Sequence, residues 1–264
     1  MDDAPQLPQV RLAFSERLRA NRRAARAAVS SAALYGMARL QMSVTIEARR
    51  QEVFDGWLVR WARSMLGCMA TEVVREGEVA ERSGKPRLVV GNHRTAMDIP
   101  VMLAHFAGSV VSRGDLETWP IIGAGAQAAQ VVFVDKTSTS SKVRALRAVR
   151  QRLRAGRTVS VFPEGSTFEG DEVRPFFRGS LAAARGIGAE VIPVGLAYPP
   201  GVEYLDESFI EHLQRFAART RVRVGMVIGA PLTLEELGDA PEESLRQHVS
   251  TLVTRARALV GPHP

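Results

Sequence analysis

Short apolar runs rich in β-branched residues alternate with helix-forming segments from about residue 85 onwards, and this alternation limits the possible folds more than any other feature. The apolar runs are 87–91, 109–112, 131–134, 158–162, 190–194 and 222–228. The segments with helical character lie near 97–106, 139–155, 179–187 and 240–259. Strands that alternate with helices form a parallel sheet with helices on both faces. We therefore predict an α/β fold with a largely parallel mixed sheet flanked by helices.

Residues 11 to about 75 show helical periodicity without this alternation, and they predict a helical N-terminal region. One stripe of large apolar side chains recurs there every four positions: Val53, Trp57, Trp61, Met65 and Met69. Such a stripe fits a helix packed on the protein's own core, and it also fits a helix lying in a lipid interface. We therefore divide the chain into a helical region, 1–80, with possible membrane-interface contact, and a second domain, 81–264.

Basic residues outnumber acidic ones by 35 to 28 in the 264 residues, which gives a net charge of +7. They are concentrated in 11–26, with six arginines and one acid, and in 142–157, with seven basic residues and no acid. This balance suits nucleic acid, an anionic membrane surface or an acidic substrate. The second cluster also contains an apolar helical face: Val143, Leu146, Val149 and Leu153. We therefore interpret its cations as the solvated side of a helix, and we predict no nucleic-acid partner.

Three further features exclude other classes of protein. The single cysteine, Cys68, rules out an internal disulfide, a four-thiolate zinc site and a C-x-x-C redox pair, and we interpret it as a buried free thiol. The N-terminus begins Met1-Asp2-Asp3, which has the wrong charge for a signal peptide. The longest apolar stretch, 27–38, is shorter than the ~20 residues that a spanning helix needs. We expect any membrane contact to be peripheral.

The first group of residues suited to chemistry directly follows the run 87–91 and contains His93 and Asp98. If a helix begins near Arg94, Asp98 lies one turn inside it, and its carboxylate can accept a hydrogen bond from one imidazole nitrogen. The other nitrogen is then free to act as a general base. Because this spacing also arises by chance, the pair alone does not identify a site. Four other histidines have no comparable partner and are interpreted as structural or surface residues: His105, His212, His248 and His263.

A second group ends the run 158–162, where Pro163 and Gly165 predict a sharp turn. Proline fixes φ, and glycine permits positive φ. Because the carboxyl ends of parallel strands meet at one edge of a sheet, the turn brings Glu164 to the same edge as His93. The alternative is a solvated glutamate in an ordinary strand-to-loop turn.

Two cations, Arg113 and Lys136, each follow an apolar run and could reach the same edge of the sheet. Together they could bind an anionic head group or the phosphates of a donor. Either one taken alone is equally consistent with an ordinary solvated surface cation.

Four blocks taken in order resemble those of the glycerolipid acyltransferase family, which includes lysophosphatidic acid acyltransferases and glycerol-3-phosphate acyltransferases. They are Asn92-His93-x4-Asp98, Phe133-Val134-Asp135-Lys136, Phe162-Pro163-Glu164-Gly165-Ser166 and Val191-Ile192-Pro193-Val194. The resemblance covers about 85 to 200. It implies that 81–264 is an acyltransferase domain that transfers a fatty acyl group from acyl-CoA or acyl carrier protein to a lysolipid hydroxyl. The expected acceptor is 1-acylglycerol-3-phosphate, in phospholipid biosynthesis.

The resemblance also implies roles for individual residues. His93 would be the general base and Asp98 its orienting partner. The remaining candidates would bind substrate: Asn92, Arg113, Lys136, Glu164, Gly165, Ser166 and Thr167. No metal and no cofactor is expected, since the acyl thioester is a co-substrate. The implied partners are a lysolipid acceptor, an acyl thioester donor and an anionic membrane surface, with the protein peripheral on the cytoplasmic, inner face of the cell membrane.

Two positions depart from the family pattern. Many lysophosphatidate-specific members have an arginine two residues after the motif glycine, where this chain has Thr167, and the block that usually ends Asp-Arg ends here with Lys136. The segment from Gly165 to Phe176 also resembles members that act on other lysolipids, including lyso-ornithine lipid. Acylation of such a lipid is the alternative reaction. A thioesterase and a non-catalytic basic module that binds lipid or nucleic acid are the more distant alternatives.

Overall fold

The computed structural model describes residues 12–79, 81, 83–113, 132–134, 138–205 and 207–261. Six helices are assigned in these ranges: α1 (Phe14–Val44), α2 (Glu47–Cys68), α3 (Asp98–Phe106), α4 (Thr139–Arg154), α5 (Phe209–Ala218) and α6 (Pro241–Val260). Seven strands accompany them: β1 (Thr71–Glu76), β2 (Arg87–Gly91), β3 (Ser109–Arg113), β4 (Val132–Val134), β5 (Thr158–Val161), β6 (Glu190–Ala197) and β7 (Val222–Ile228).

The strands form one seven-stranded sheet in the order β1-β7-β6-β2-β5-β3-β4. Of the pairings between these strands, the one between β6 and β7 is antiparallel and the others are parallel. The predicted α/β fold with a largely parallel mixed sheet is therefore confirmed. Strand β2 lies between β5 and β6, so the residues that follow β2 and β5 leave the sheet at the same edge.

The central strand β2 is buried on both faces, because its apolar side chains alternate between two layers of helices. Leu88 and Val90 pack into a cluster with residues of α4 and α6, whereas Val89 packs into a second cluster with residues of α2 and α3. All three side chains are fully buried, and each contributes about 1.5–3 kcal/mol to folding by leaving water. This burial fixes the end of β2 rigidly, and the residues after it inherit that rigidity.

The N-terminal helices α1 and α2 form an antiparallel pair, and the apolar stripe of α2 faces this pair and the core. The Trp57 side chain donates to the Gln41 amide oxygen over 2.7 Å, and the Trp61 side chain donates to the Ser31 hydroxyl over 3.0 Å. Leu58 is buried beside them. Trp61, Met65 and Met69 of the stripe pack on the core, which favours the core-packing interpretation, and the lipid-interface contact of this region stays a prediction. The division of the chain at residue 80 stays a prediction.

Two expectations about local structure are wrong, and one helix was not predicted. The helical region does not extend to residue 75, because β1 begins at Thr71 and pairs in parallel with β7. The segment 179–187 is a series of turns with N–H groups bonded three residues back, and Gly179, Gly186 and Gly188 have positive φ there. Helix α5 was not expected, although Ser208 and Glu211 form a capping box at its start.

Some arginines of the two basic clusters are bound within the fold, whereas others, such as Arg22 and Arg144, are exposed. Arg23 of α1 donates to the carbonyls of Ala217 (3.0 Å) and Thr220 (2.8 Å) at the end of α5, where the helix dipole favours a cation. Arg150 of α4 donates to the Arg185 carbonyl over 3.0 Å. The buried face of α4 differs from the expected one and consists of Ser141, Ala145, Val149 and Leu153, while Val143 and Leu146 are exposed.

Cys68 is a buried free thiol, as predicted. None of the helices in the described ranges combines the length and the apolar content that crossing a membrane requires.

Candidate active site

The connection from β2 to α3 brings His93 and Asp98 together. Asp98 is fully buried, and its Oδ2 lies 2.7 Å from Nδ1 of His93. The same oxygen accepts the backbone N–H groups of Arg94 at 2.7 Å and Thr95 at 3.0 Å. The helix begins at Asp98, in agreement with the helical segment predicted near 97–106 and not with a start near Arg94, so the carboxylate closes the turn that precedes its own helix. These three bonds fix the carboxylate in one position.

The His93 imidazole has one nitrogen committed and one available. Because the Asp98 carboxylate can only accept, Nδ1 carries the proton of the neutral ring and Nε2 carries the lone pair. The ring stacks on Phe162 with a centroid distance of 4.4 Å and an interplanar angle of 11°. One fifth (20%) of the His93 side chain is exposed, so the ring is held in place yet can be reached from outside.

Glu164 lies in the turn after β5, and its side chain is fully buried. Its carboxylate accepts the backbone N–H of His93 at 2.5 Å and that of Arg174 at 2.8 Å. It also pairs with the guanidinium of Arg94 at 3.1 Å. Burial raises the pKa of Glu164, although Arg94 and the two N–H groups oppose the shift. The solvated-glutamate alternative is wrong, and the contacts place the carboxylate behind His93.

Arg94 is the residue of the site that the sequence reasoning missed. It is 2% exposed, and besides Glu164 it donates to the carbonyls of His93 (2.7 Å), Gly170 (2.6 Å) and Glu172 (2.8 Å). One guanidinium therefore joins the turn after β2 to the loop after β5. Its position directly after His93 was visible in the sequence, but a buried arginine differs from a solvated one only through partners that lie 70 or more residues away.

The other predicted substrate-binding residues fall into different surroundings. Asn92 is fully buried, and its amide both donates to and accepts from the backbone of Leu196, at 2.9 Å and 2.8 Å. We therefore assign Asn92 to the support of the β2 terminus and correct the expected substrate contact. Gly165 has φ 74°, and a Cβ there would lie 1.9 Å from the Phe177 ring. Ser166 is exposed, while the Thr167 hydroxyl donates to the carbonyl of Tyr204.

Of the two predicted cations, the backbone of Arg113 lies within the described residues. Arg113 is the last residue of β3 and is paired in register with Val134, so its backbone lies at the same edge of the sheet as the residues after β2 and β5. The position of its side chain and the whole of Lys136 lie outside the described residues. An anion site made by these two residues stays a prediction.

Metal-ligating side chains are not clustered in the described part of the chain. No group of three or more His, Cys, Asp or Glu side chains in those residues is arranged to hold a metal ion. The expectation of chemistry without a metal or cofactor stays a prediction.

Residues 70–197 match the protein-family model described as "Acyltransferase". The chain therefore carries an acyltransferase-family domain. This confirms the resemblance inferred from the four blocks, since the matched residues contain all of them. They also contain β1, which lies before residue 80, while the division of the chain at that residue stays a prediction.

Among the relatives of this domain, the "Lyso-ornithine lipid O-acyltransferase" of Pseudomonas aeruginosa is 29% identical over 198 residues, which are 72% of this chain and 74% of that protein. The "1-acyl-sn-glycerol-3-phosphate acyltransferase" of Neisseria gonorrhoeae is 34% identical over 111 residues. That alignment covers 42% of this chain and 44% of the relative, so the chain matches less than half of its length.

The crystal structure of the 1-acyl-sn-glycerophosphate acyltransferase PlsC from Thermotoga maritima superposes with a TM-score of 0.71. The likeness covers 94% of this chain and 97% of that one at 24% identity. It supports the fold of the acyltransferase domain together with its helical N-terminal region.

Proposed function

We propose that this protein transfers a fatty acyl group from an acyl thioester to a hydroxyl group of a lysolipid. The observation that carries the proposal is the His93–Asp98 pair, with Nε2 of His93 available at the edge of the sheet of an acyltransferase-family domain. Either acyl-CoA or acyl carrier protein would serve as donor. We propose 1-acylglycerol-3-phosphate as the first acceptor to test.

The chemistry follows from the state of the His93 ring. The lysolipid hydroxyl attacks the thioester carbonyl, and Nε2 accepts the hydroxyl proton as the C–O bond forms. A general base of this kind contributes about 10²–10⁴-fold to the rate. Asp98 stabilises the imidazolium, as the carboxylate does in a serine-hydrolase triad. When the C–S bond breaks, the imidazolium returns the proton to the departing thiolate, so no acyl-enzyme is required.

The oxyanion of the tetrahedral intermediate needs N–H donors aimed at it. Backbone N–H groups of the turn from Pro163 to Thr167, which follows β5, are the candidates. Within that turn the Gly165 N–H already donates to the Phe162 carbonyl at 3.1 Å. We therefore propose the N–H groups of Ser166 and Thr167 as the donors.

A second acceptor, lyso-ornithine lipid, is favoured by a specific observation. The Thr167 hydroxyl is bound to the Tyr204 carbonyl, so this position supplies neither a cation nor a free hydroxyl for a phosphate group. The Pseudomonas relative, which is named for lyso-ornithine lipid, also aligns over a larger share of its length than the Neisseria relative does.

An acceptor screen tests both the reaction and the acceptor. We expect the purified full chain to convert one lysolipid to a product heavier by one acyl group, detected by mass spectrometry. The panel contains 1-acylglycerol-3-phosphate, lyso-ornithine lipid and no acceptor, each with acyl-CoA or acyl carrier protein as donor. Release of free fatty acid at the same rate with and without acceptor would support a thioesterase instead. Salt-sensitive DNA binding without acyl transfer would support a basic binding module.

We also propose that the protein is peripheral on an anionic membrane surface, and that α1 makes the contact. Apolar side chains of α1 point outward over its second half, with exposed fractions of 70% for Val29, 72% for Leu40 and 79% for Val44. Their spacing places them on one side of the helix. Exposed apolar patches rimmed by basic residues are typical of membrane contacts, and Arg22 and Arg26 lie on the same helix.

Introducing negative charge on this apolar face should weaken membrane binding. Replacing both Leu40 and Val44 with glutamate removes two aliphatic side chains, each of which contributes about 1.5–3 kcal/mol when buried, so we expect at least a tenfold loss of affinity. Flotation with vesicles of phosphatidylglycerol and phosphatidylcholine measures the effect. Ile210→Glu on α5, where the side chain is 53% exposed, is the matched control. Equal losses in the two variants would contradict the assignment of α1.

A further inference from the structure

His212 of α5 is fully buried against the turn that carries the His93–Asp98 pair, although no partner for it was predicted. Its Nε2 lies 3.0 Å from the Thr95 hydroxyl and accepts the backbone N–H of Ala96 at 3.3 Å. Its Nδ1 lies 3.2 Å from the Glu207 carboxylate. The imidazole thus connects α5 to a turn more than 110 residues earlier in the chain.

The partners of His212 define one state of the ring. The Ala96 N–H can only donate, so Nε2 must carry a lone pair. The Glu207 carboxylate can only accept, so Nδ1 must carry the proton. The Tyr204 ring stacks on the imidazole at 4.6 Å and holds its plane. His212 is therefore a neutral ring of fixed tautomer and fixed orientation.

The turn held by His212 is the one that presents two N–H groups to Asp98. Asp98 Oδ2 accepts from Arg94 and Thr95, and this oxygen also holds Nδ1 of His93. His212 binds the next residues of the turn, Thr95 and Ala96. A shift of this turn therefore moves the carboxylate that orients the general base.

We propose that His212 is a positioning residue for the proposed acyl transfer, and that it keeps the His93–Asp98 pair aligned by holding the side chain of Thr95 and the backbone of Ala96. The inference rests on the proposed function, because it assigns His93 as the base. His212 acts through the turn and touches neither the acceptor nor the thioester. A displacement of about 1 Å in reacting groups can reduce a rate about 10²-fold, so such support has a measurable effect.

Burial keeps the ring neutral at physiological pH. Burial lowers the pKa of His212 to about 4. Arg215 acts in the same direction, whereas the Glu207 and Asp98 carboxylates oppose the shift. The unfolded chain therefore takes up the proton first as the pH falls from about 6.5. The stability that neutral His212 contributes is complete above that pH and is lost as the pH falls through about 4.

Two substitutions test the contacts of Nε2 and Nδ1 separately. In His212→Gln the longer amide can place an acceptor near the position of Nε2 and preserve the bond to Ala96. In His212→Asn the shorter amide can reach Glu207 but not the turn. We expect His212→Gln to keep kcat within about threefold of wild type, and His212→Asn to lose about 10–100-fold in kcat with KM changed by less than threefold. A role limited to packing predicts equal losses.

Amide hydrogen exchange gives a readout that does not depend on acyl transfer. We expect the peptide covering 93–98 to exchange faster in His212→Asn and to be unchanged in His212→Gln. If wild-type protein transfers no acyl group, the proposed function fails while this measurement still decides whether His212 holds the turn. Active wild type with equal kcat in the two folded variants would overturn the positioning role.

If both variants fail to fold, Glu207→Gln provides the test, because it keeps the size of a side chain that is 23% exposed, although it also changes the pair with Arg215. The glutamine can donate to Nδ1, which allows the tautomer that repels the Ala96 N–H. We expect kcat to fall several-fold and exchange at 93–98 to rise. Wild-type kcat and exchange in this variant would overturn the proposal.

Discussion

Replacing His93 with alanine is expected to lower kcat for acyl transfer by about 10²–10⁴-fold, because the hydroxyl nucleophile loses its proton acceptor. The fold should persist, since the ring is 20% exposed and stacks on one neighbour, Phe162. KM should change much less than kcat, because a base acts mainly in the transition state. The measurement is steady-state transfer of a labelled acyl chain to the acceptor identified in the screen.

The control for this prediction is His248→Ala, which removes the same type of side chain from an exposed position on α6. We expect it to keep wild-type kcat. The thermal unfolding midpoint of each variant shows whether a loss of activity is a loss of fold. A folded His93→Ala protein with wild-type kcat would remove His93 from the mechanism, whatever the fold of the domain.

The proximity of His93, Asp98 and Glu164 was predictable because it depends on strand and turn patterns that are visible in the sequence. The β-branched run before His93 predicts a buried strand, and parallel pairing sends its carboxyl end to the same edge as the strand before Glu164. The turn at Glu164 is marked by Pro163 and Gly165, whose backbone preferences are local. These are properties of single segments, and the fold confirms them.

The partners behind the site were not predictable, because they depend on contacts between distant segments. His212 and Arg94 look like other histidines and arginines in the sequence, and their buried state depends on Glu207 and Glu164 reaching them in the folded chain. Helix α5 was not predicted either, since its capping box is its only local signal. Strand β1 was taken for helix because its pairing partner, β7, lies about 150 residues later.

Net charge alone also leaves out contacts between distant segments. A count of arginines predicts attraction to anions, but it does not show which arginines are already bound within the fold. Arg23 and Arg150 bind carbonyl groups, and Arg152 donates to the Ser109 hydroxyl at 3.0 Å. These three guanidinium groups are therefore held within the fold, while the exposed arginines, such as Arg22 and Arg144, face solvent and carry the charge open to an anionic partner.

Removing the Glu164 carboxylate is expected to have the largest effect on stability. In Glu164→Ala the Arg94 guanidinium stays buried without its carboxylate, and breaking a buried ion pair in this way costs about 3–5 kcal/mol. The N–H groups of His93 and Arg174 also lose their acceptor. Urea unfolding of the purified chain measures the loss. Replacing Arg94 and Glu164 together with methionine and leucine should recover part of it, because no uncompensated charge remains while the two N–H groups still lack an acceptor.

Glu52→Ala is the matched control, because it breaks an exposed pair with Arg49 in which the side chains are 70% and 64% exposed. Its unfolding midpoint should equal that of wild type, since exposed pairs contribute little. The same variants also decide how Glu164 serves the reaction. If its carboxylate bound the acceptor, a conservative Glu164→Gln change would raise KM and leave stability nearly intact. Because the carboxylate is fully buried and holds the His93 backbone, we expect stability and kcat to fall together, with KM almost unchanged.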